Sequence, residues 1–318
     1  MTGERGPDGA WRAECLLARG VRVVGSAHPV AGSTNRPAVC DRIALHRCDL
    51  AAPAPLAALI VASAPDELYH LAAPSFVATA PAEQHALMTA IVLATQTIIA
   101  TVAAEVPHCR VFLAGSSEMF GAVDVAPQNE ATPFRPRAVY GLAKLCAHQV
   151  LDYYRRQHRL FACTGFLYNH ESPRRGERFV TSKIARAAAR ISRGLERELR
   201  LGDLAARRDW GYAPDYVAAM AAMLRNDAPA DFVIATGETH SVGEFAARAF
   251  ACVGLDSREH IVVDPAFVRP PEPVPLVGDA TAIRQSLGWR PTQRFEDMVG
   301  EMVDAELAQL TTTAAQDK

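Results

Sequence analysis

Lysine is nearly absent from this chain. Of its 33 basic residues only Lys144, Lys183 and Lys318 are lysines, and arginine supplies the rest. Wherever a generic positive charge suffices the chain uses Arg, so a surviving Lys points to a role that Arg fills badly. Net charge is also almost nil, −2 at pH 7 with a pI near 6.6, which speaks against a nucleic-acid or anionic-membrane partner. The seven cysteines (Cys15, Cys40, Cys48, Cys109, Cys146, Cys163 and Cys252) form no CxxC pair. They read as reduced, mostly buried thiols of a cytoplasmic protein, with no metal site expected. The longest apolar stretch, residues 86–104, is broken by Thr89, Thr95, Gln96, Thr97 and Thr101 and reads as a buried helix, not a membrane span. The opening Met-Thr-Gly-Glu-Arg has no apolar signal-peptide core. What remains is 318 residues, 49% hydrophobic and 21% charged, a composition ordinary for a globular enzyme of one to three domains.

The chemistry concentrates between residues 111 and 144. Val111-Phe112-Leu113-Ala114 reads as a strand running into Ser116-Ser117-Glu118, so these polar groups fall at a strand's C-terminal end, where open α/β sheets bind ligands. Tyr140 and Lys144 open a helical stretch over 139–154, and their i, i+4 spacing places both on one face. A free Tyr, with a pKa of about 10, is a poor base at neutral pH, and a nearby ammonium favours its phenolate. Ser116 can hydrogen-bond a substrate hydroxyl, and Glu118 adds a second base two residues on. The set suits proton and hydride traffic at an alcohol carbon.

Upstream, Gly3, Gly6 and Gly9 form a GxxGxxG run before a helix expected over 10–19, with Gly20 as its stop and a strand over 21–25. Such spacing lets the backbone approach a pyrophosphate at a helix N-terminus. The motif should follow a strand, yet only Met1 and Thr2 precede it, so the first strand is expected to be missing. At the end of the next strand, Ser26-Ala27-His28-Pro29 offers neither the acidic residue of a NAD site nor the basic one of a NADP site. Arg36 is the nearest candidate for a phosphate. Alternating strands and helices imply an α/β fold, a doubly wound, Rossmann-like parallel sheet with right-handed crossovers. A dinucleotide-binding domain is expected from residues 1–168 plus about 206–237, and a smaller, mostly helical substrate domain from about 169–205 plus 238–318. Residues 265–275 are Pro-rich and read as a loop, and the tail after Leu310 is expected to fray.

These segments resemble the extended short-chain dehydrogenase/reductase superfamily, and within it the GDP-mannose 4,6-dehydratases. The most specific piece is Asn169-His170-Glu171-Ser172-Pro173-Arg174-Arg175-Gly176-Glu177. The resemblance implies cofactor contacts at Asp49, Leu50, Leu71, Ala73, Ser75, Tyr140, Lys144, His170 and Arg175, besides the glycine loop. It implies nucleotide-sugar contacts at Asn169, Val180, Lys183, Arg208, Arg269 and Glu272. NADP is the implied cofactor, with NAD left open, and the stretch around Arg174-Arg175 implies a homodimer or homotetramer. Departures fall in the cofactor half: Pro74, Phe76 and Ala86 stand where relatives have Gln, His and Tyr.

The implied reaction on GDP-mannose is an internal redox dehydration. Tyr140 takes the 4-hydroxyl proton as hydride leaves C4, and Glu118 removes the acidified C5 proton and helps expel the 6-hydroxyl as water. Hydride then returns to C6. Two alternatives stay open on the residues alone: a non-catalytic nucleotide-sugar-binding paralogue with an eroded cofactor site, and a related epimerase or ketoreductase. Glu118 speaks against the latter two activities, which need no base at C5.

Overall fold

The computed structural model describes residues 1–3, 7–27, 42–73, 80–267 and 274–316. Gly6, Arg36, Pro74, Ser75, Phe76, Arg269 and Glu272 lie outside the described residues.

Among the described residues, six parallel strands build the main sheet. β1 (Val24–Ala27) pairs with β2 (Ala44–Arg47). On the other side β3 (Glu67–His70), β4 (Arg110–Ala114), β5 (Ala162–Leu167) and β10 (Phe232–Ile234) follow in the order β10-β5-β4-β3. Thr2 lies between β1 and β3, bridged in parallel to Ser26 and His70. Its N–H donates to the Tyr69 carbonyl at 2.9 Å, its carbonyl accepts from Leu71 at 3.3 Å, and Met1 accepts from the Ser26 N–H at 2.9 Å. Met1 and Thr2 thus hold the central position of a doubly wound sheet by bridge contacts, and the chain winds outward from them in both directions. That is the switch point at which such sheets take their ligands.

β4 and β5 carry near-continuous apolar sequence and are almost fully buried, as strands covered on both faces must be. α1 (Pro7–Ala18) begins in the glycine run and stops at Gly20, whose φ of +72° suits only a residue without a side chain. With α7 (Ala213–Arg225) it covers one face through Ala13, Leu16, Val217 and Met220. α2 (Pro53–Ser63), α3 (Gln84–Met88), α4 (Ala94–Glu105) and α5 (Val139–His158) cover the other. β1 starts three residues later than the sequence suggests.

The helix Pro81–Glu105, α3 and α4 joined by a π turn, is long and apolar enough to cross a membrane by length and composition. It buries Ile91, Ala94, Ile98, Ile99 and Val102, while Leu93 is 46% exposed. The expected buried helix is therefore buried on one face only.

The rest of the chain adds β6 (Asn169–Glu171) paired with β9 (Trp210–Tyr212), and α6 (Val180–Ser192). β7 (Leu199–Leu201) pairs with β12 (Ile261–Val263), and β8 (Arg207–Arg208) with β11 (His240–Ser241). α8 (Val242–Ala251), α9 (Thr281–Leu287) and α10 (Phe295–Gln316) complete it. α6, α8 and α10 enclose their own apolar cluster around Ile184, Trp210, Phe245, Phe250 and Met302. The tail expected to fray after Leu310 continues as helix to Gln316. The fully buried Asp209 carboxylate pins this part to the sheet, accepting from Thr236 (N–H at 2.9 Å, hydroxyl at 2.6 Å), Gly237 (3.0 Å) and Gly278 (3.2 Å).

Candidate active site

The C-terminal end of β4 delivers the first half of the site. The chain leaves the sheet at Gly115, and Ser116, in extended backbone, caps a single 3-10 turn over Ser117–Met119. The Ser116 Oγ accepts from the Glu118 N–H at 3.2 Å, which fixes where the half-buried Glu118 begins.

α5 delivers the second half. Its buried face runs Tyr140, Ala143, Lys144, Ala147, His148, Leu151, the three-and-four spacing of a helix lying on a sheet. Arg155, Arg156 and His158 in its last turn favour the negative end of its dipole. Tyr140 and Lys144 stand in its first turns, 8% and 4% exposed. The Lys144 Nζ donates to the Ala114 carbonyl at 2.7 Å, tying the helix to the last residue of β4, and lies 5.9 Å from the Tyr140 ring centroid. The Ser116 hydroxyl is a polar neighbour that favours the Tyr140 phenolate. Ser116, Glu118, Tyr140 and Lys144, singled out from sequence, thus come together.

Burial dominates the protonation of both groups. It pushes the Tyr140 phenol up to about 12, opposed by the Ser116 hydrogen bond and the Arg175 charge and reinforced by Glu118 and Asp8. It lowers Lys144 to about 8, with the Asp8 carboxylate opposing. The expected lowering of the phenol is therefore outweighed by desolvation, and Arg175 is a cation that draws it down.

Of the glycine run, Gly3 and Gly9 fall among the described residues. Gly3 has φ +81°, and a Cβ there would stand 2.7 Å from the Ala72 nitrogen, so only glycine fits against residues 71–73. The Thr2 hydroxyl accepts from the Ala72 N–H at 3.2 Å. Gly3 and Leu71 are thereby gathered at the switch point, and Gly9 sits in the first turn of α1. Close backbone approach is part of what a dinucleotide pyrophosphate requires, and Gly3, which admits no Cβ against Ala72, fits that cofactor.

The sequence reading passed over Asp8. From the first turn of α1 its Oδ2 lies 2.9 Å from His170 Nε2. His170 reaches the Tyr168 carbonyl through Nδ1 at 2.7 Å and stacks on Tyr216 at 4.5 Å. Asp8 holds the imidazole above its usual pKa against the pull of burial, and His170, Arg175 and Lys144 hold the Asp8 carboxyl below its own. Only its place in the glycine run could have flagged it, because its partner is 162 residues away.

Arg175 lies 3.1 Å from the buried Glu171 carboxylate and stacks over Phe179 at 3.6 Å. Arg174 turns instead to α1, bonding Glu14 at 2.7 Å and covering Trp11. The remaining residues singled out lie further out. Asp49 and Leu50 follow β2, where Asp49 accepts from the Ala51 N–H at 2.9 Å. Asn169 opens β6 and Val180 opens α6. Lys183 donates to the Arg200 carbonyl at 2.7 Å, and Arg208 to the Arg207 carbonyl at 2.7 Å. A groove of about 430 Å³ lined by Asp66, Glu67, His108, Arg110, Leu224 and Arg225 opens at the opposite, N-terminal ends of β3 and β4, the wrong end for this chemistry.

A doubly wound sheet with a Ser, a Tyr and a Lys i+4 from it at the switch point defines the extended short-chain dehydrogenase/reductase class. A family profile described as GDP-mannose 4,6 dehydratase matches residues 1–302. The chain is 41% identical to GDP-mannose 4,6 dehydratase 1 of Arabidopsis thaliana, with 96% of this chain and 89% of that protein covered. Among solved structures it resembles RMD from Pseudomonas aeruginosa complexed with NADPH, at 21% identity and TM-score 0.82, covering 96% of this chain and 97% of that one. It also resembles dTDP-glucose 4,6-dehydratase from Bacillus anthracis in complex with NAD, at 16% identity and TM-score 0.84, covering 98% and 96%. The chain belongs to the GDP-mannose 4,6-dehydratase family.

Proposed function

We propose that this chain is a hydro-lyase that converts GDP-mannose to GDP-4-keto-6-deoxy-mannose with loss of one water. A nicotinamide dinucleotide bound at the glycine loop supplies the hydride acceptor and donor. NADP is the form expected, and the experiment below compares it with NAD. Gly3, Gly9, Leu71, Ala73, His170 and Arg175 are the described residues assigned to hold it.

Ser116 holds the sugar's 4-hydroxyl, and Tyr140 takes its proton as C4 is oxidised. The 4-ketone acidifies the C5 hydrogen. Glu118 takes that proton and returns one to the departing 6-hydroxyl, which leaves as water. The hydride removed from C4 is delivered to C6 and a proton returns to C5, so the balance is the loss of one water. Burial of Tyr140 and Lys144 excludes bulk solvent from the first step. Asn169, Val180, Lys183 and Arg208 are assigned to the nucleotide-sugar side, where Arg suits a diphosphate through its forked donors.

The observation that carries this reading is the convergence of Ser116 and Glu118 on one phenol: the Ser116 hydroxyl accepts from the Glu118 N–H at 3.2 Å and favours the Tyr140 phenolate, while the Glu118 carboxylate acts on the same group. A reductase or epimerase needs the Tyr but has no work for a carboxylate so placed. The reading also carries a homo-oligomer and a reducing compartment, the latter in keeping with six described cysteines that are all free.

Purified protein incubated with GDP-mannose, alone or with NADP or NAD, and analysed by mass spectrometry tests it. Loss of one water with either dinucleotide, or without one, is the expected result. An unchanged substrate mass in all three samples of folded protein refutes it.

A further inference from the structure

We propose that the ring of Phe267 is the platform on which the nucleobase of the nucleotide sugar stacks, beside the Lys183 ammonium. The proposal rests on the GDP-mannose reading for the identity of the base, and on geometry alone for the platform.

A single apolar side chain at a surface needs no explanation by itself. Phe267 differs because it is 53% exposed and yet pinned. It ends the 3-10 turn Pro265–Phe267, where its N–H donates to the Asp264 carbonyl at 3.0 Å. Asp264 ties that turn to β7: its N–H donates to the Leu201 carbonyl at 2.7 Å, and its carboxylate lies 3.7 Å from the Arg200 guanidinium. The same carboxylate accepts from the Ala266 N–H at 3.0 Å. The residue after β7 must be glycine for this fit, since a Cβ on Gly202 would stand 2.3 Å from the Phe267 carbonyl oxygen. The ring is therefore held in place without being buried.

α6 brings the second element. The Lys183 Nζ lies over the Phe267 ring, 4.8 Å from its centroid, and donates to the Arg200 carbonyl at 2.7 Å. That bond keeps the ammonium at the ring, where the π-system attracts it. Lys183 is one of only three lysines in the chain, and the Arg200 carbonyl takes one of its three donors. Val180 stands one turn earlier on the same helix face and is also open to solvent. Behind this surface Ile184 of α6 and Leu199 and Leu201 of β7 share one buried cluster, so cation and ring are carried on a common packed frame.

An aromatic ring with an ammonium beside it suits one part of a nucleotide sugar above the others. Diphosphate and sugar hydroxyls call for donors and acceptors, and only the base has a flat π-face to lay on the ring. Guanine also presents acceptors, N7 and O6, along one edge, which suits a neighbouring ammonium. An apolar peptide fits poorly here, because covering Phe267 would also cover Lys183, Arg200 and Asp264.

Fluorine NMR tests the platform without turnover. Protein labelled with 4-fluorophenylalanine carries twelve such residues, and the signal lost in Phe267→Ala or Phe267→Tyr is that of Phe267. GDP is expected to move that signal, and mannose 1-phosphate, which has no base, is expected to leave it in place. The Kd for GDP, measured by calorimetry, should rise about 5- to 150-fold in Phe267→Ala and stay within about threefold of the parent in Phe267→Tyr, which keeps the ring. In the dehydration assay Phe267→Ala should raise KM for GDP-mannose by a similar factor with kcat unchanged, because the base is bound alike in ground and transition states. Absent GDP binding, a Phe267 signal that saturating GDP does not move, or parental GDP affinity in Phe267→Ala overturns the platform, and water loss by the parent then leaves the dehydratase reading standing. A moved signal in protein that removes no water from GDP-mannose upholds the platform and refutes the dehydratase reading. Should Phe267→Ala not fold, Phe267→Tyr supplies the assignment and the response to GDP decides.

Discussion

Gly141, between the buried Tyr140 and the exposed Leu142, offers a test of how closely the two halves of the candidate site are fitted. An alanine Cβ there would stand 2.3 Å from the Glu118 carbonyl oxygen, 2.9 Å from its carbonyl carbon and 3.2 Å from Pro136 Cβ. Ordinary contact begins at 3.4 Å, so α5 and the 3-10 turn carrying Glu118 must part by about 1 Å. Two energies then oppose each other. Ala is the better helix former by about 1 kcal/mol, and overpacking costs about 1–3 kcal/mol, so the net loss of stability is about 0–2 kcal/mol. Catalysis is far less forgiving, because a displacement of about 1 Å costs on the order of 100-fold in rate. Gly141→Ala should therefore remain folded, with a melting temperature within a few degrees of the parent, and lose water from GDP-mannose about 100-fold more slowly. Gly300→Ala, with nothing within 4 Å of its Cβ, is the matched control and should be neutral or slightly stabilising. The assay is initial-rate mass spectrometry at saturating substrate beside a thermal melt. A kcat within threefold of the parent for Gly141→Ala would show that Tyr140 and Glu118 need not be held at this spacing, and the two-part site would fall with it.

Glu118→Gln should reduce water loss at least about 100-fold while hydrogen exchange at C4 persists, and equal dehydration rates in mutant and parent would remove Glu118 from the mechanism. Tyr140→Phe, read in the same assay, should cost about 10²–10⁴-fold, and an unaffected rate would sink the proton relay. The Asp8–His170 pair sets a pH window for stability. Asp8 has its pKa lowered from 3.8, so its contribution is complete above that value and is lost as pH falls through the folded pKa. His170 has its pKa raised from 6.5, so its contribution is complete below that value and is lost as pH rises through the folded pKa. Melts across pH 4–9 should show the parent's advantage over Asp8→Asn largest between about 4 and 6.5, and a pH-independent difference would contradict the pairing.

Tyr140 and Lys144 were legible because their relation is local: four residues apart in one helix, they share a face whatever the rest of the chain does. Ser116 and Glu118 were legible because a short apolar run announces β4 and a strand's end announces a site. The boundaries that moved did so where burial overrides local pattern. Val21 and Arg22 read as strand, yet the ladder starts at Val24, where pairing with Ala44 begins. The run over 86–104 reads as uniformly apolar, but only the face toward α2 and α5 finds partners, and Leu93 is left to solvent. A sequence gives no sign of which side of an apolar helix will be covered.

Asp8 escaped the sequence reading for a different reason. An acidic residue in a glycine run read as a phosphate loop argues against an anion there, and the local pattern offers no cation to offset it. The offsetting charges arrive from 136 to 167 positions away, at Lys144, His170 and Arg175, and only the closed sheet brings them within range. The same closure accounts for the phenol. Lys144 and Tyr140 suggest a lowered pKa when read as neighbours, but in a dry interior the phenol loses more to desolvation than the Ser116 hydroxyl and the Arg175 charge return, and Tyr140 ends near 12. Motifs name the groups that take part. Their charge states belong to the surroundings, and in this chain the cations that act on Asp8 come from α5, from β6 and from the segment that follows it.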